Sequence, residues 1–110
     1  MQFVRIVGNT RRNWHEVTAE IRDAISNAGG WIIDFQFFSN LSLSLHFELL
    51  ACNVGRLIDS LFQLGIRITP ESMIVMQQID PHAPTDIKGS LQITFIHNEP
   101  DLLRAVPAFS

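Results

Sequence analysis

The feature that most constrains this chain is the run "LSLSLHFELLA", in which Leu41, Leu43, Leu45, Phe47 and Leu49 alternate with Ser42, Ser44, His46 and Glu48. A strict period of two over nine residues is the signature of a β-strand with one face in a core and one outside it. Immediately before it, "WIIDFQFF" sets Trp31, Ile33, Phe35 and Phe37 against Ile32, Asp34 and Gln36, so the two runs read as a hairpin around Ser39 and Asn40. Parity decides the register. A two-residue loop pairs Phe37 with Ser42 and sets leucines against polar residues. A three-residue loop beginning at Phe38 pairs Phe37 with Leu41 and Ile33 with Leu45, keeps both faces consistent, and ends on Asn40, which accepts a left-handed backbone.

A hairpin with one apolar face needs a cover, and two amphipathic segments supply it. Trp14, Val17, Ile21, Ala24, Ile25 and Ala28 recur at helical spacing, with Glu16, Glu20, Asp23 and Asn27 on the other side. Asn13, followed three residues later by Glu16, resembles a capping box, and Gly29 and Gly30 end the helix. The second helix carries Val54, Leu57, Ile58, Leu61 and Phe62 on one stripe, starts near Asn53 and stops at Gly65. A strand "QFVRIVG" comes before the first helix, and "IRITPESMIVMQQI" after the second reads as a strand interrupted at Pro70 and Glu71.

Strand, helix, strand, strand, helix, strand folds most simply as an α+β, ferredoxin-like βαββαβ sandwich: an antiparallel sheet with two helices on one face. That core spans residues 1–79. Residues 80–110 add a Pro-rich loop, a fifth strand in "SLQITFIH" and an irregular tail, all within a single domain of 110 residues. The expected core is Ile21, Ile25, Ile33, Leu43, Leu45, Phe47, Leu57 and Leu61.

Charge and composition narrow the function. A net charge of -3 gives no electrostatic footprint for nucleic acid or an anionic membrane, and no apolar run approaches the roughly 20 residues of a membrane helix. The N-terminus lacks the pattern of a secretory signal, and the single cysteine, Cys52, builds neither an internal disulfide nor a cysteine metal site. A cytoplasmic protein is expected. No nucleophile elbow or glycine-rich phosphate loop occurs, so a non-catalytic role without cofactor is the first reading. His46, Glu48 and Asp34 could form a cluster, but they read more simply as the polar face of a half-buried sheet. Asp80, His82 and Asp86 have no recognised ligand spacing, and no metal site is assigned.

The best site candidate is the connection "GNTRRN", comprising Gly8, Asn9, Thr10, Arg11, Arg12 and Asn13. It carries two arginines to the start of a helix, whose free N–H groups and dipole favour an anion, and an arginine adds a bidentate clamp for carboxylate or phosphate. The plainer alternative makes Asn13 a helix cap and leaves the arginines to water or Glu16. A third possibility is self-association: in this fold "WIIDFQFF" is an edge strand, unusually apolar for one, and a homodimer through Ile32, Asp34, Gln36 and Phe38 is expected.

The order from "VRIVGNTRRNWHEVTAEIRDAISNAGGWIIDFQFF" through "LSLSLHFELL" to "VGRLIDSLFQLGIRI" resembles an ACT domain over about residues 3–79. The carriers are the strand ending at Gly8, the helix closing at Ala28, Gly29 and Gly30, and the short second helix ending in "LFQLG". In the first loop Asn9 matches the common pattern, whereas the usual Pro-Gly is missing. The resemblance implies a regulatory module that senses an amino acid or related anionic metabolite at a dimer interface. Gly8 would then permit close approach, Asn9 and Thr10 would supply hydrogen bonds, and Arg12 the charge. The alternatives are a protein-interaction module without ligand and, third, a small acylphosphatase-like enzyme using Arg11 or Arg12 on phosphate.

Overall fold

A computed structural model describes residues 2–38 and 41–96. Strand β1 (Gln2–Thr10) leads to helix α1 (Trp14–Asn27), then to the antiparallel strands β2 (Trp31–Phe38) and β3 (Ser42–Leu50). A single 3₁₀ turn at Ala51–Asn53 opens helix α2 (Val54–Gln63). A two-residue strand β4 (Arg67–Ile68), a third helix α3 (Pro70–Gln77) and strand β5 (Asp86–Phe95) follow. The result is α+β, with a five-stranded sheet in the order β2-β3-β5-β1-β4.

The sheet is mixed, not antiparallel. β5 lies at its centre, antiparallel to β3 over nine residue pairs and parallel to β1 over nine more, whereas the sequence reading placed it as an addition outside a four-stranded core. Its residues explain the position. Ile87, Leu91, Ile93 and Phe95 are all buried, and between them Gly89 lies under the ring of Phe47, which occupies the space a Cβ would need. Ten residues with one face so apolar cannot serve as an appendage, and the longest strand takes the middle.

The segment after Arg67 is the second departure. Thr69 caps a helix with its side chain, Pro70 occupies the first turn, where its missing N–H costs nothing, and Glu71 follows it there. The expected long strand is therefore two residues of β4 followed by α3. Helix α3 covers the rim of β1 where β4 stops: the Thr69 N–H donates to the Val7 carbonyl at 2.9 Å, and the Val7 N–H donates to Ser72 Oγ at 2.9 Å.

Helices α1 and α2 close over the face formed by Val4, Ile6, Leu43, Leu45, Phe47, Leu91 and Ile93, contributing Val17, Ile21, Ile25, Leu57 and Leu61. Gly29 and Gly65, both at positive φ, end these helices. Every expected core residue is buried except Ile33, which is 48% exposed. The cause is a bulge. The register of β2 shifts between Ile32 and Asp34, so that Ile32 pairs with Phe47, Phe35 with Leu45 and Phe37 with Leu43, leaving Ile33 as the extra residue. From Asp34 to Phe38 the pairing keeps the expected parity in a different register, since Phe37 meets Leu43 and not Leu41; beyond the bulge the parity reverses, and Ile32 replaces Trp31 and Ile33 on the inner face. Ser39 and Asn40, to which the turn assignment belonged, lie outside the described residues, as does the tail from His97.

Candidate functional site

The "GNTRRN" connection is shorter than its sequence implied, because Gly8, Asn9 and Thr10 belong to β1. Gly8 crosses the backbone of β4, where a Cβ would stand 2.6 Å from the Arg67 carbonyl oxygen. Its missing side chain admits another strand, not a ligand. The Thr10 hydroxyl is buried and used twice within the chain, donating to the Gly65 carbonyl at 3.1 Å and accepting from the Arg12 N–H at 3.2 Å. Asn13 caps α1 by accepting from the His15 N–H at 2.8 Å. Glu16, expected to complete a capping box, instead stands 3.8 Å from Arg12.

Arg12 is engaged within the chain. One guanidinium nitrogen donates to Glu20 Oε1 at 2.7 Å and to the Leu64 carbonyl at 2.9 Å, and the other donates to Glu20 Oε2 at 3.1 Å. The fork thus straps the front of α1 to the end of α2, satisfying a carbonyl that the last turn of a helix leaves open. The hydrogen bond from Arg12 holds the Glu20 carboxyl below its usual range, and the same bond raises the guanidinium pKa further.

What remains for a ligand is a different set. Asn9 and Arg11 border a recess of about 200 Å³ whose floor includes Gly65 and whose other walls are Arg67 and Ile96. Arg67 arrives from β4, paired in register with Asn9, a neighbour at a sequence distance that the linear motif could not reveal. Among the described residues, neither Arg11 nor Arg67 has an acidic partner within salt-bridge distance. With Arg12 behind them, three arginines line one small space.

Larger hollows are chemically less pointed. One of about 420 Å³ beside Gly30 and Trp31 has a single arginine, Arg22, whose guanidinium lies 4.7 Å from the Phe35 ring centre. Another of about 400 Å³ sets Arg5 against Glu71, and one of about 350 Å³ runs along α2 and α3 beside Met73, Met76 and Asp59. None gathers like charges as the arginine recess does.

On the face of the sheet away from α1 and α2, His46 Nδ1 and Asp34 Oδ1 stand 2.6 Å apart across the β2–β3 pair, both well exposed. Asp80 accepts from the His82 N–H at 2.9 Å, which turns the Pro-rich loop. Among the described residues no three His, Cys, Asp or Glu side chains are placed to hold a metal ion, and no helix is long and apolar enough to cross a membrane.

The chain matches no family model, no curated protein and no solved structure.

Proposed function

We propose that this chain is a non-catalytic regulatory module that binds a small anionic metabolite, through its carboxylate or phosphate, in the recess between Arg11 and Arg67. The observation that carries this reading is the convergence of Arg11 and Arg67, distant in sequence, on one hollow where, among the described residues, no carboxylate lies within salt-bridge distance of either. Guanidinium groups so placed favour a planar or tetrahedral anion that accepts paired hydrogen bonds. Asn9 adds a neutral hydrogen-bonding side chain beside them. About 200 Å³ is below the usual size of a drug-like pocket and suits an amino acid's carboxylate end or a phosphate group, with the rest of the ligand outside.

This reading keeps the regulatory role implied by the ACT-like order, and moves the site. Arg12, Thr10, Gly8 and Asn13 serve the fold, while Asn9 and Arg11 stay and Arg67 joins them. The same reading treats the architecture as a ferredoxin-like βαββα succession into which β5 is inserted between β3 and β1.

A thermal-shift screen of amino acids, nucleotides and inorganic phosphate tests the proposal. A native-state ligand at a hundred times its Kd adds about 2.7 kcal/mol of stability, so the melting temperature rises by about 10 °C. Arg11→Ala and Arg67→Ala should each abolish that rise while leaving the circular dichroism unchanged. A ligand whose affinity neither substitution alters binds elsewhere, and the recess is then only a gap between strands.

A further inference from the structure

The two edges of the sheet are built in opposite ways. On one side, β4 is two residues long, and the outward backbone groups of Val7 are taken by Thr69 and Ser72 of α3. On the other, β2 runs for eight residues, pairs only with β3, and has no element beyond it among the described residues. Edges that must stay single are blunted by lysine, proline, shortness or a cover. β2 contains neither lysine nor proline, and only the bulge at Ile33 and the single charge of Asp34 interrupt it. Its side chains are correspondingly apolar and open: Trp31 is 52% exposed, Ile33 48%, Phe37 37% and Phe38 50%.

We infer that β2 is a self-pairing edge, joining two copies of this chain antiparallel about a two-fold axis into one continuous ten-stranded sheet. A second copy is the occupant because the same strand serves on both sides and the opposite edge is already covered. Such an isologous contact closes at two chains and cannot propagate into a filament. Charge permits it. Asp34 is the only ionisable residue of β2, and pairing centred on Phe35 sets Asp34 against Gln36 of the second copy and Ile33 against its Phe37. Like charges then never stand opposite each other. The ring of Phe37 is fixed in advance by edge-on contacts with Phe35 at 4.9 Å and Trp14 at 5.0 Å, so little side-chain freedom is lost on pairing.

Area sets the strength. With roughly 200 Å² for a whole aromatic side chain, the exposed parts of Trp31, Phe37 and Phe38 come to roughly 300 Å² per copy, the scale of an interaction patch. Two such patches, with Ile33 and the backbone ladder, approach the roughly 1,200 Å² that separates weak from standard interfaces. An interface of that size lies at the boundary of the weak, reversible class, and the dimer does not depend on the anion reading.

Sedimentation of the full chain from low to high micromolar concentration should show a monomer passing to a dimer and no further. Ile33→Lys together with Phe38→Lys, both at exposed positions, should weaken association by at least about tenfold without changing the circular dichroism. Hydrogen exchange on the unaltered protein provides the answer even if that variant folds poorly: β2 amides should slow as concentration rises. A monomer throughout, an assembly that grows beyond two, or a dimer whose β2 exchange is unmoved would each overturn the proposal.

Discussion

At the scale of single residues, Arg12 shows how a side chain that looks available becomes structural. Its neighbour Arg11 has the same chemistry and stays exposed, while Arg12 reaches Glu20 two turns into α1 and the Leu64 carbonyl at the end of α2. The linear motif held no sign of which arginine would be used, because Leu64 is fifty-two residues away. It did hold the Asn13 cap, a local interaction that needs only its own helix. Arg12→Ala should cost about 1 kcal/mol in chemical denaturation, the pair being partly exposed, while anion binding, which the proposal assigns to Arg11 and Arg67, is retained. The pair also sets an acid limit. Glu20 has its carboxyl pKa lowered in the folded chain by the hydrogen bond from Arg12, so this contribution is fully present above the unfolded value near 4.5 and is lost as pH falls through the folded value. Melting temperatures measured from pH 6 downward should fall less steeply in Glu20→Gln than in the unaltered protein.

At the scale of elements, α3 illustrates a signal that was present and outweighed. "TPES" is a helix start in every position: a hydroxyl cap, a proline that loses no hydrogen bond, an acid near the positive end of the dipole. The following "MIVM" has strong strand character, and the expected fourth strand made that character decisive. Tertiary context settled the competition, since as a helix the segment presents Ser72 to the Val7 N–H and protects the β1 edge. Ser72 is buried and bonded to both Val7 and Thr69, so Ser72→Ala leaves a backbone donor without a partner and should cost about 1–3 kcal/mol. Chemical denaturation would measure it, and the Val7 amide should exchange faster. A neutral substitution would mean that water replaces the hydroxyl at that edge. By contrast α1, α2 and β3 were legible from periodicity alone, because each buries its stripe close to where its own sequence places it. Strand β2 was legible as a strand but not in its faces: a bulge interrupts it, and Trp31, Ile33 and Phe37 of its expected stripe are exposed.

At the scale of the whole molecule, the position of β5 decides what the chain can do without. The alternation of Leu91, Ile93 and Phe95 announced a strand, but not its neighbours, since pairing partners at sequence separations of 36 to 52 residues in β3 and 85 in β1 leave no local trace. A sandwich complete at residue 79 would have β1 beside β3. Here β5 stands between them and supplies every pairing partner that β1 has apart from Gly8 and Asn9 with β4, as well as the inner partner of β3. Removing it would strip the sheet in two and expose Ile6, Leu43, Leu45 and Phe47, which are fully buried in the intact chain. A chain ending at residue 79 should therefore show no cooperative thermal transition and should bind hydrophobic dyes, whereas one ending at Ile96 should melt cooperatively if the described residues suffice for the fold. If the shorter chain instead melts as a single folded unit, β1 and β3 can pair directly, and the central strand is an elaboration of a smaller domain.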